Sequence, residues 1–192
     1  MTVPLGILPA DGRISENVLE RFDSFLIMGG SKTWPYHLQV VHHAVIAGKP
    51  LLGICLGMQS IHNYFRVMDY MEKTGRTGDL YNIFLEMRLQ SEKCLQQVEG
   101  HLMNHVRGHE DETKHPVLLT PGSLIHRLMG KSEIEAGSFH KFAVSGISSR
   151  LAVTGRAPDG TVEVLEFGER VLGVQFHPEI DKKLLSVFDV LF

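Results

Sequence analysis

Apolar residues in the first third of the chain follow two alternating rhythms. Phe25-Leu26-Ile27-Met28 and Leu51-Leu52-Gly53-Ile54 are short continuous runs, and glycines mark their ends. Runs of this length predict strands buried on both faces of a sheet. Between them, Leu38, Val41, Val45 and Ile46 repeat at helical spacing within Tyr36 to Ala47, and Gly48 stands where a helix would end. A second apolar helix is predicted from about Met58 to Met68. Val3 to Leu8 is a further β-compatible run, and Ser15 to Arg21 reads as a helix with Ser15 as its N-cap. Strands alternating with helices imply right-handed crossovers and parallel pairing.

The rhythm changes later in the chain. Thr74 to Lys114 is polar and punctuated by glycine, and is expected to form excursions over one edge of the sheet. The last third is strand-rich. Pro116 to Leu119, Leu151 to Arg156, the alternating Thr161 to Phe167, and Val171 to Phe176 all read as strands, with a turn at Ala157-Pro158-Asp159-Gly160. The expected fold class is α/β: a mostly parallel central sheet flanked by helices, flavodoxin-like, with a strand-rich C-terminal third. Its active site is expected at the carboxyl ends of the strands, where Gly29-Gly30 and Cys55 fall.

Composition narrows the function. The chain has 192 residues, 43% hydrophobic and 21% charged, with a formal charge of −3. That suits one globular domain and points to neither nucleic acid nor an anionic membrane surface. No apolar run is long enough to span a bilayer, and the N-terminus lacks the pattern of a signal peptide. Two cysteines, Cys55 and Cys94, are too few for a disulfide framework, so a reducing, cytoplasmic setting is expected.

The chemistry gathers at two places. Gly53-Ile54-Cys55-Leu56-Gly57-Met58-Gln59 sets a cysteine between glycines at minus two and plus two, at a strand-to-helix junction. That is the pattern of a nucleophile elbow, a bend too tight for neighbouring Cβ atoms. A helix N-terminus there favours a thiolate, the reactive form of cysteine. Gly173-Val174-Gln175-Phe176-His177-Pro178-Glu179 then supplies a candidate base and a carboxylate to orient it. Extended residues at i and i+2 share a face, so Glu179 is expected to hold the His177 ring in one tautomer. The backbone N–H groups of Leu56 and Gly30 are the candidate oxyanion donors. A lone cysteine after a strand is usually a core residue. An elbow cysteine with a distant His-x-Glu is a nucleophile with its base.

These two segments resemble the nucleophile and His-Glu motifs of class I glutamine amidotransferases. Further segments resemble the γ-glutamyl hydrolase branch, which includes γ-glutamyl-γ-aminobutyrate hydrolase: Phe25 to Gly30, His115-Pro116-Val117, Gly122-Ser123-Leu124, Ser138-Phe139-His140, and Thr154 to Gly160. The resemblance runs through most of the chain and is weakest between Thr74 and Lys114. It implies a Cys55, His177 and Glu179 triad that hydrolyses a γ-glutamyl amide through a thioester, with Gln59, Ser138 and His140 near the γ-glutamyl group. It implies no cofactor or metal, a small-molecule substrate, and leaves homodimerisation open. Leu56 stands where the branch usually has Arg, and Gly137 to Phe142 departs from its Asn-Ser-x-His-His-Gln pattern. Val3 to Pro9 matches the family's second strand better than its first, so the opening strand-helix unit is expected to be absent from this single domain. Two other readings follow. One is a glutaminase subunit that passes ammonia to a synthase partner, which Leu56 favours. The other is a truncated, non-catalytic relative.

Eleven histidines raise a metal site. His101, His105 and His109 recur every four residues beside Glu99, Glu110 and Asp111, but Gly100 and Gly108 weaken a helix there. A solvated or substrate-covering segment is expected instead. Gly29-Gly30-Ser31 lacks the lysine and length of a phosphate loop, and Cys94 is expected to be a bystander thiol.

Overall fold

The computed structural model describes residues 12–90, 94–98 and 114–192. Val3 to Leu8 and the histidine-rich segment lie outside these residues.

The first half folds in the predicted alternation. Helix α1 (Glu16–Leu19) leads to strand β1 (Phe25–Ile27), helix α2 (Pro35–Ala47), strand β2 (Leu51–Ile54) and helix α3 (Leu56–Thr74). Gly48 ends α2 in the left-handed conformation, at φ 63°. Ser15 precedes α1 with no side-chain cap; its hydroxyl donates to Asn17 Oδ1 at 2.6 Å instead. The segment expected to be an excursion contains helix α4 (Leu80–Leu89). Ile83, Phe84 and Met87 bury its inner face, and Asp79 caps it by accepting from the Asn82 N–H at 3.0 Å.

The rest is strand β3 (Leu95–Gln97), β4 (Lys114–Leu119), helix α5 (Leu124–Met129), then β5 (Glu133–Gly137), β6 (Phe142–Val144), β7 (Ala152–Arg156), β8 (Val162–Phe167) and β9 (Val171–Val174). Two 3-10 segments, Pro178–Ile180 and Lys182–Leu191, follow. Seven strands form one sheet in the order β1-β2-β9-β8-β7-β4-β5, and β3 pairs with β6. The α/β architecture is as expected, but the sheet is mixed rather than mostly parallel. Only β1, β2 and β9 run parallel; every pairing beyond β9 is antiparallel. The reason lies in the connections. Helix α2 provides the crossover between β1 and β2, whereas short turns join β7 to β8 and β8 to β9 and can only make hairpins.

Neighbouring strand residues face opposite layers. Leu51, Leu165 and Val171 pack with Leu38, Val41, Met58 and Ile61 of α2 and α3. Leu52, Val164 and Leu172 pack with Ile125 of α5 and with Leu184, Val187 and Val190 of the C-terminal segment. Among the described residues, no helix is long and apolar enough to cross a membrane.

Candidate active site

Three glycines bring the cysteine to its place. A Cβ on Gly57 would sit 2.2 Å from the Ile27 carbonyl oxygen, and one on Gly53 would sit 2.5 Å from the Gly57 carbonyl carbon. A Cβ on Gly173 would come within 3.0 Å of Met58. The start of α3 therefore lies directly on the backbones of β1, β2 and β9. Between them Cys55 turns at φ 53° and ψ −104°, the one non-glycine residue with positive φ among those described. Such a conformation costs about 1–3 kcal/mol and persists only where the surroundings enforce it. The Cys55 N–H donates to the Val174 carbonyl at 2.8 Å, and its own carbonyl accepts from Gln59 N–H at 3.1 Å. The thiol is 8% exposed.

His177 follows β9 and meets the thiol. A Cβ on Gly29 would lie 3.0 Å from His177 Cε1 and 3.5 Å from Cys55 Cβ, which puts both groups against one glycine. His177 Nδ1 donates to Glu179 Oε1 at 2.7 Å, which leaves Nε2 for the hydrogen bond with Cys55. The two side chains do not share a strand face as expected. Pro178 opens a 3-10 turn, and that turn folds Glu179 back onto the ring. Burial works against the charged imidazole, but the bonds to Cys55 and Glu179 outweigh it and push His177 up to about 9. Burial would likewise raise the Glu179 carboxyl, yet the His177 bond holds it below its ordinary value. Phe139 stacks edge-on against the His177 ring, with centroids 5.4 Å apart.

Cys55 opens into a cleft of about 650 Å³. Gly30, Leu56, Gln59 and His140 all line it with Cys55, so four further predicted residues converge. Ser138 does not. It is fully buried behind the wall, its hydroxyl 2.8 Å from His115 Nε2. Gln59 Nε2 donates to the Phe142 carbonyl and to Gln175 Oε1, each at 3.1 Å. The sequence reading missed Arg88, Lys32 and Lys141, which bring positive charge to the cleft, and Phe84 and Phe142, which bring apolar surface. Arg88 and Phe84 were hidden because α4 was unrecognised, although Asp79 followed by apolar residues at helical spacing was the available signal. Cys94 is no polar bystander: it is 6% exposed and lines the same cleft. No cluster of metal-ligating side chains occurs among the described residues.

Residues 75–179 match the family model of Peptidase C26. The chain belongs to the Peptidase C26 family. The matched span includes His177 and Glu179. Among curated proteins, this Peptidase C26 member is 29% identical over 197 aligned positions to a CTP synthase of Chlamydia felis, covering 94% of this chain and 35% of that one. It is 26% identical over 211 positions to the glutamine amidotransferase-like protein YvdE of Lactococcus lactis, covering 95% and 80%. The chain thus spans about a third of the CTP synthases it matches. Among solved structures, it resembles the CTP synthase glutaminase domain of Trypanosoma brucei with bound acivicin, at a TM-score of 0.66 and 16% identity, covering 91% and 73%. A glutamine amidotransferase of Thermotoga maritima gives a TM-score of 0.61 at 14% identity, covering 92% and 65%. Both likenesses are of fold. The domain is of the glutamine amidotransferase-type cysteine hydrolase class.

Proposed function

We propose that this protein hydrolyses γ-glutamyl amides whose leaving amine carries a negative charge. The observation that carries the reading is Cys55, held strained at the base of the cleft and hydrogen-bonded to a His177 that Glu179 orients. The Cys55 sulfur attacks the γ-carbonyl, and the oxyanion is met by the N–H groups of Leu56 and Gly30. The protonated His177 gives its proton to the departing amine, leaving a γ-glutamyl thioester. Water, deprotonated by His177, attacks the thioester; glutamate leaves and the thiol returns. Gln59 and His140 line the same cleft as Cys55, and we assign them to the γ-glutamyl group. Lys32, Arg88 and Lys141, all exposed, also line the cleft, which suits an anionic amine better than ammonia. Release of glutamate from γ-glutamyl-γ-aminobutyrate is the test. Activity is expected in the wild type and absent from Cys55→Ala; activity that survives that substitution refutes the assignment.

A second reading is supported by the CTP synthase similarity and by Leu56: a glutaminase that delivers ammonia to a synthase partner. Turnover of glutamine that begins only when a partner protein is added would select it.

A further inference from the structure

A polar ring runs from the cleft lining at Gln59, His140 and Phe142 into the core behind it, and the chemical steps do not use it. Glu163, the second residue of β8, is wholly inaccessible, where an ionised carboxylate is costly unless partnered. Its Oε1 lies 3.4 Å from His140 Nε2 and 3.7 Å from His115 Nε2. His140 Nδ1 is 3.1 Å from the Phe142 carbonyl oxygen, an acceptor only, so this nitrogen carries a hydrogen. Nε2 of the same ring faces the Glu163 carboxylate.

The ring can be followed onward from Phe142. Its carbonyl also accepts from Gln59 Nε2, and the same amide donates to Gln175 Oε1. The Gln175 backbone N–H then donates to the Glu163 carbonyl at 2.8 Å, which closes the circuit. Gln59 sits one helical turn beyond Cys55, to whose carbonyl its N–H is bonded. Gln175 is two residues before His177. The circuit therefore ties the nucleophile's helix, the base's strand and the cleft wall together from below.

We infer that Glu163 is a positioning residue: by its contact with His140 Nε2 it closes a ring through Phe142, Gln59 and Gln175 that sets the separation of Cys55 from His177. This role rests on the reading of Cys55 and His177 as the reacting pair. Polar contacts that join distant strands hold a core in one arrangement, whereas an opened ring loosens every member.

The test follows the His177 ring by nitrogen–proton NMR in the full chain, with Tm as a control. The wild-type ring is expected to titrate near 9. Glu163→Leu, similar in bulk but unable to pair with His140, is expected to lower that midpoint by about one unit while Tm changes little. Glu163→Gln, whose amide can donate to a neutral His140 Nε2, is expected to restore it. A Glu163→Leu midpoint equal to the wild type overturns the role, whatever Tm does. If Glu163→Leu does not fold, Gln175→Met opens the ring without touching a charge and must lower the midpoint likewise; an unchanged value there overturns the role too. A wild-type ring that titrates at its ordinary 6.5 would remove the thiol–imidazole pair, and with it both this role and the hydrolase reading. The two failures are thus distinguishable.

Discussion

The two halves of the sheet build the site by different physics. On the parallel side, β1, β2 and β9 place Cys55 through close steric contact and backbone hydrogen bonds: glycine backbones lie against carbonyl groups and bend the chain at the thiol. On the antiparallel side, β8 and the wall after β5 depend on polar contacts between residues far apart in sequence. Steric placement needs only a handful of consecutive residues and tolerates no added atom. Polar placement draws on distant strands and fails by degrees.

Breaking the steric side should have the largest consequence. Gly57→Ala puts a Cβ against the Ile27 carbonyl, so the expected loss is at or beyond the top of the roughly 1–3 kcal/mol range for overpacking. Urea unfolding would measure it, and hydrolysis should vanish with it. A variant as stable and active as the wild type would mean that the elbow is looser than described.

Glu179→Gln comes next. The amide cannot stabilise an imidazolium as the carboxylate does, so kcat/KM is expected to fall about 100-fold or more. His177 titrates at about 9, above its ordinary 6.5. The protonated form is therefore the one the fold favours: its pairing adds stability that is complete below 6.5 and is lost as pH rises through about 9. The same deprotonation removes the acid needed by the leaving amine, so the wild-type pH–rate profile should fall through about 9. In Glu179→Gln that alkaline limb should move to lower pH. A limb that does not move would detach Glu179 from the ring's titration.

Effects at the mouth of the cleft should be smaller. Arg88→Leu is expected to raise KM for γ-glutamyl-γ-aminobutyrate by about tenfold or less, as for an exposed ion pair, with kcat little changed. The shift should shrink at high salt. Equal effects on a neutral γ-glutamyl amide would deny Arg88 a part in reading charge. Smallest of all is Leu89→Ser on the outer side of α4. Its side chain is 86% exposed, and the expected change in stability stays within about 0.5 kcal/mol.

The steric half was legible in the sequence because its determinants are local. A glycine at each side of Cys55 and an apolar run before it describe the elbow without reference to anything distant. His177 and Glu179 were likewise legible as a pair, although the 3-10 turn that joins them was not, since Pro178 is compatible with either geometry. Ser138 was misplaced for a long-range reason: His115, more than twenty residues earlier, takes its hydroxyl behind the wall.

What the sequence by itself determined was therefore the α/β alternation, the bend at Cys55, and the pairing of His177 with Glu179. Each follows from short-range periodicity or from residues within a turn of one another. Only the tertiary structure decided that β9 inserts between β2 and β8, and that insertion is what carries His177 to the thiol. It also decided which cations reach the cleft and which polar atoms meet behind it. Strand order and buried polar pairing arise from packing the whole chain into two layers about one sheet, and no window of sequence contains that information.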